Sequence, residues 1–133
     1  DRGPIQGIAE GLAKLSGRVA WAFACATDAP QIEPRWIDRL LDIASDEFDL
    51  ILPRVEGVDQ PLAALYRPEV AGPVAAALLY DGHFRLGLLK EKLRTRIVQA
   101  RELADVDPEF LTLRNLNLPE DYERLQKSSF SGW

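Results

Sequence analysis

The stretch Val19-Ala20-Trp21-Ala22-Phe23-Ala24-Cys25-Ala26 is an unbroken apolar run that stops at Thr27-Asp28-Ala29-Pro30. A run of this length closed by turn residues predicts a strand buried on both faces, of the kind found at the centre of a parallel α/β sheet. Asp28 then stands at the strand's carboxyl end. Open α/β sheets bind ligands beyond that edge, where a carboxylate can hold a cation beside a nucleotide phosphate. Position alone leaves a second reading open, in which Asp28 only caps the turn before the next helix.

Before this strand, Ile5, Ile8, Leu12 and Leu15 recur at helical spacing and predict a helix from about Gly7 to Leu15. After it, Pro34 suits the first turn of a second helix, striped by Ile37, Leu40, Leu41 and Ala44. Phe48 to Leu52 reads as a second strand, Gly57 as a turn, and Pro61 to Tyr66 as a partner strand, together a hairpin-like excursion. Val70, Val74, Ala77 and Leu78 define a third helix ending near Asp81-Gly82, and Leu86, Leu89 and Leu93 a fourth. Ile97-Val98 is a further strand candidate, while the acid-rich stretch from Arg101 to Glu109 reads as irregular surface chain. Asn117, three residues before Glu120, is placed to cap a helix from Pro119 to Gln126, and residues 127–133 read as a flexible tail. The alternation predicts an α/β fold with a mostly parallel sheet and helices on both faces.

With 133 residues, 47% of them hydrophobic, the chain fits one domain burying roughly two thirds of its unfolded surface. A net charge of −5 argues against a duplex nucleic-acid partner, which needs a basic face, but leaves room for an anionic small substrate bound through local cations or a metal. No apolar stretch approaches the roughly 18 residues of a membrane span, so no membrane partner is expected. Cys25, the single cysteine, sits in the apolar run as a core residue, excludes an internal disulfide and points to a cytoplasmic setting. His83 lacks a second histidine and reads as part of an Asp81-Gly82-His83 turn. Neither G-x-G-x-x-G nor G-x-x-x-x-G-K-[ST] occurs. The chain has no methionine and starts Asp1-Arg2-Gly3-Pro4, so it is expected to be a piece or a processed product of something longer.

Four separated blocks stand out in order: Gly3-Pro4-Ile5-Gln6-Gly7, Thr27-Asp28-Ala29-Pro30, Gln60-Pro61-Leu62-Ala63-Ala64-Leu65-Tyr66, and Asn115-Leu116-Asn117-Leu118-Pro119-Glu120-Asp121. Together they resemble the molybdenum cofactor guanylyltransferases, in which a G-P-L-x-G loop, a strand ending in C-D-x-P, a P-L-x-A-L-Y segment and N-x-N-T-P-E-D follow one another. The resemblance implies a Rossmann-like nucleotidyltransferase fold, with the chain as the C-terminal part of one domain. It departs from the family pattern at Thr27, where a cysteine is usual, and at Leu118, where a threonine is usual. The family's opening L-A-G-G-x-S-x-R-M-G-x-x-K motif, with its first βα unit, is missing.

What the resemblance implies can be carried only onto matching residues. Asp28 matches the family's metal-binding aspartate, which holds Mg²⁺, with Mn²⁺ as a substitute, against GTP. Gly3 and Gly7 match the loop near the nucleotide, where a side chain would obstruct close approach of backbone to ligand, with an ordinary loop and helix start as their other reading. Asn115 and Asn117 match the asparagines on the molybdopterin side of the cleft, with turn formation and helix capping as their other reading. The implied reaction transfers GMP from GTP to molybdopterin and releases pyrophosphate, with other molybdenum cofactor biosynthesis or acceptor proteins as partners. The alternatives are a cytidylyl- or sugar-phosphate nucleotidyltransferase, and a non-catalytic binding or assembly module. Arg85 is a further phosphate-contact candidate, with a solvated surface arginine as its other reading.

Overall fold

The computed structural model describes residues 3–26 and 31–113, together with a short strand at Ser129–Phe130. Four helices, α1 (Pro4–Leu15), α2 (Pro34–Ile43), α3 (Pro68–Tyr80) and α4 (Gly87–Lys92), are interleaved with strands β1 (Ala22–Cys25), β2 (Leu50–Val55), β3 (Val58–Asp59), β4 (Ala63–Tyr66) and β5 (Thr95–Gln99), and Ser129–Phe130 is β6. A proline opens each of α1, α2 and α3. There its fixed φ is already helical and its missing N–H costs nothing, which is why α1 begins at Pro4 and not at Gly7. The helix expected from Pro119 to Gln126 lies outside the described residues. Of the expected tail, Ser129 and Phe130 pair with Cys25 and Ala24 of β1.

The sheet corrects one expectation: it is mixed and mostly antiparallel, not mostly parallel. Only β2 and β5 pair in parallel, while β1 with β4, β1 with β6, β2 with β3 and β2 with β4 are antiparallel. The cause is where the hairpin goes. β1, β2 and β5 do run in one direction, but β4 lies between β1 and β2 and runs against both. All four residues of β4 are buried, so it is satisfied only in the middle of the sheet.

The hairpin turns at Glu56-Gly57, whose φ values of 53° and 76° are those of the two-residue turn that suits strand twist. Because β5 occupies one side of β2 from Leu50 to Arg54, β3 and β4 share the other. Between them Gln60 to Leu62 bulge from the ladder, held by the Gln60 N–H donating to the Pro53 carbonyl (2.9 Å) and the buried Tyr66 hydroxyl donating to that of Pro61 (2.8 Å).

Alternate residues of each strand serve opposite faces. Ala22, Ala24, Leu50, Leu52, Ala64 and Tyr66 face α1, α3 and α4. At Gly72, where α1 and α3 pack, an added Cβ would stand 3.4 Å from Leu12 Cβ, the near limit of van der Waals contact. On the opposite face Phe23, Cys25, Ile51, Ala63 and Leu65 meet Trp36 and Leu40 of α2, joined by Leu103 and Val106. Helices on both faces are therefore observed. The stretch from Arg101 to Glu109, expected as surface chain, instead buries Leu103, Val106 and Asp107. No helix among the described residues is long and apolar enough to cross a membrane.

Candidate active site

Since β1, β2 and β5 share a direction, their carboxyl ends lie along one edge of the sheet. β1 leaves that edge at Ala26 into residues 27–30, and the chain returns as α2. The turn 16–21 joins the far end of α1 to the start of β1, so the first turn of α1, with Gly3, faces the carboxyl edge. From the end of β5 the chain continues through residues 100–113, across the α2 face, to the segment that holds Asn115 and Asn117.

A single indole joins α2 and the 100–113 chain to the sheet. Trp36, in the first turn of α2, is fully buried, and its Nε1–H donates to the carbonyl of Ala63 (3.0 Å), the residue opposite Cys25 in the ladder. Phe110 meets the same ring edge-on, with centroids 6.3 Å apart. Phe110 holds a φ of 50°, uncommon for a bulky side chain. Arg39 of α2 adds a bidentate pair with Asp105 (2.9 and 2.8 Å) and a hydrogen bond to the Glu102 carbonyl.

Next to this ring lies a buried carboxylate. Asp107, 3% exposed, accepts from the Leu111 N–H (3.0 Å), the Thr112 N–H (2.9 Å) and the Thr112 hydroxyl (2.6 Å). The Thr112 oxygen in turn accepts from the backbone N–H of Glu33 (3.0 Å), the cap residue of α2. Burial alone would push the Asp107 pKa up, but the Thr112 hydroxyl and the two backbone donors outweigh it and hold the carboxyl below its ordinary range.

Other carboxylates are also committed. Asp59 lies between Arg54 Nε and Lys90 Nζ, each at 2.7 Å, and the Arg54 hydrogen bond holds its pKa down against burial. Among the described residues no three His, Cys, Asp or Glu side chains converge as a metal ion would require.

Of the residues expected from sequence, Gly3 is the cap residue of α1 with φ 66°, and its carbonyl accepts from Gln6 N–H (3.3 Å). A Cβ there would meet nothing within 4 Å among the described residues, so the local demand for glycine is its left-handed backbone. Gly7 is half-buried inside α1, not in a loop. Asp28, Asn115 and Asn117 lie outside the described residues. His83 and Arg85 are exposed beyond the end of α3, and Cys25 is buried in β1. Asp107, Thr112 and Trp36 escaped sequence reading. The available signal was Asp107-Pro108, an Asx-turn start, beside the apolar pair Leu103 and Val106.

Comparison with known proteins agrees with this architecture. A crystal structure of molybdopterin-guanine dinucleotide biosynthesis protein A from Archaeoglobus fulgidus superimposes with a TM-score of 0.72 at 23% identity, covering 94% of this chain and 62% of that one. In sequence, the chain is 32% identical over 126 residues to a protein of Methanosarcina mazei described as a probable molybdenum cofactor guanylyltransferase, covering 94% of this chain and 55% of that protein. It is 28% identical over 131 residues to the molybdenum cofactor guanylyltransferase of Desulfosudis oleivorans, covering 98% of this chain and 63% of that protein. The chain thus spans a little over half the length of these relatives. The family model described as the MobA-like NTP transferase domain matches residues 1–97, and the chain belongs to that family.

Proposed function

We propose that the protein acts as a molybdenum cofactor guanylyltransferase, of which this chain forms the C-terminal part of the nucleotidyltransferase domain. The observation that carries this reading is the tie, at the carboxyl edge of the sheet, between the start of α2, which follows residues 27–30, and Thr112, which precedes Asn115. Each adjoins a separate block of the family pattern.

In this reading a terminal phosphate oxygen of molybdopterin attacks the α-phosphorus of GTP. The bond to the bridging oxygen breaks, and pyrophosphate leaves. A phosphate monoester is already largely ionised at neutral pH, so no strong base is needed. That suits a chain whose single histidine is exposed beyond α3. The chain's task is to align two polyanions. Gly3 and Gly7, with the backbone N–H groups of the first turn of α1, face the nucleotide, where a helix N-terminus favours negative charge. Asn115 and Asn117 hold the pterin. Asp28 would be the protein ligand of Mg²⁺, which keeps its remaining positions for water and phosphate oxygens. When bound, that ion neutralises phosphate charge.

The test incubates the natural protein with Mg²⁺, molybdopterin and either GTP or CTP labelled in the α-phosphate. The expected result is label in a guanine dinucleotide, with pyrophosphate released in equal amount. Preferential use of CTP would reassign the protein as a cytidylyltransferase. Binding of molybdopterin with no transfer from either nucleotide would make it a binding module.

A further inference from the structure

We infer that Asp107 and Thr112 are positioning residues, which hold the chain entering Asn115 and Asn117 against the chain leaving Asp28 and thereby set the acceptor against the nucleotide. This rests on the preceding assignment of those two segments. Its structural core, however, stands on described residues alone. The Thr112 oxygen accepts the Glu33 N–H across 79 positions of sequence, and Asp107 fixes that hydroxyl by accepting its hydrogen bond.

Glu33 follows the 27–30 segment by three residues, and Thr112 precedes Asn115 by three. The bond therefore lies within three residues of both segments.

Three features separate this tie from ordinary packing. The three hydrogen bonds to Asp107 all come from neutral donors, although burying a carboxylate is costly and an apolar residue would fill the space more cheaply. What the carboxylate adds is direction: a neutral apolar residue could not aim the Thr112 hydroxyl. The adjoining Phe110 keeps its unfavourable φ with its ring edge-on to Trp36 and its N–H on the Asp107 carbonyl. And Trp36 also binds the carbonyl opposite Cys25, so both connections converge on the carboxyl end of β1.

The experiment compares Thr112→Val, Thr112→Ser and Asp107→Asn in the natural protein, with amide exchange and kinetics read side by side. Among the described residues the Asp107 carboxylate accepts hydrogen bonds from Leu111 and Thr112 and not from Glu33, so loosening of the 27–33 peptide in Asp107→Asn is a reading of the coupling. We expect exchange to accelerate in 27–33 and 110–118 together in both Asp107→Asn and Thr112→Val, while α1 and β2 keep wild-type protection. In the kinetics, Thr112→Val should raise KM for molybdopterin and lower kcat, each about tenfold, with GTP affinity within a factor of about two. Thr112→Ser, which keeps the hydroxyl, should restore both. Unchanged exchange in 27–33, or equal kinetic loss in the serine and valine variants, would overturn the inference. If exchange couples as expected but wild-type protein transfers no nucleotide, the tie exists and the assignment of the reaction is what fails.

Discussion

Two aspartates of equal burial sit at opposite edges of the sheet, and their surroundings differ in kind. Asp49 and Asp107 are each 3% exposed. Asp49, at the amino edge just before β2, is clamped by cations: Arg94 grips both its oxygens (2.9 and 3.0 Å) and Arg67 stands 3.4 Å away. The same Arg67 stacks on Trp21 at 4.3 Å and donates to the carbonyls of Ser45 and Phe48. These contacts join the starts of β1, β2 and β5 to the end of β4. Asp107, at the carboxyl edge, is met by neutral donors that fix a hydroxyl between two segments leaving the sheet. At Asp49 the fold is closed by charge neutralisation; at Asp107 neutral donors are fixed in direction.

The hub of the carboxyl edge is the most costly place to break. Trp36→Ala should destabilise the protein by about 3–5 kcal/mol by opening a cavity between α2, β4 and Phe110. Chemical denaturation would measure it, and a loss under 1 kcal/mol would show that the edge is not organised by this ring. Asp49→Ala should cost about 2 kcal/mol through its lost charge-assisted bonds, yet leave KM and kcat of the folded fraction unchanged. An altered KM would erase the contrast between the two edges.

Acid sharpens the same comparison. Both folded pKa values lie below the ordinary aspartate value: for Asp49 chiefly through the Arg94 hydrogen bonds, for Asp107 because its hydrogen bonds exceed the burial penalty. Their stabilisation is therefore present above about pH 4 and lost as pH falls through the folded values. Denaturation midpoints measured from pH 7 to 2 should fall less steeply in Asp49→Asn and in Asp107→Asn than in wild type. A slope unchanged by either substitution would remove that aspartate from the acid response. The smallest effect belongs to the β2–β3 turn, which touches neither aspartate. There Glu56 sits at φ 53° before Gly57, and Glu56→Asn should stabilise by up to about 1 kcal/mol with kinetics unchanged.

The elements themselves were legible because their signals are local. The apolar run announced β1, Pro34 opened α2, and Gly57 between polar neighbours marked the hairpin. The direction of most sheet contacts was not legible: nothing in Ala63-Ala64-Leu65-Tyr66 says that this strand inserts between β1 and β2, since neighbour order is a property of the whole sheet. The resemblance led to Gly3 and Gly7 at the start of α1, and to Asp28, Asn115 and Asn117, which lie outside the described residues. The Asp107 tie was hidden because its acidic neighbours Glu102, Asp105 and Glu109 made the stretch look solvated, and because its partner Glu33 is remote in sequence.

The measurement that reaches the central claim most directly is the rate of GMP transfer to molybdopterin by Asp28→Asn at saturating Mg²⁺, with its melting temperature recorded beside that of wild type. If the carboxyl edge is the site of nucleotidyl transfer, turnover should fall by about a hundredfold or more while the melting temperature stays within a few degrees. Wild-type turnover in this variant would contradict the account.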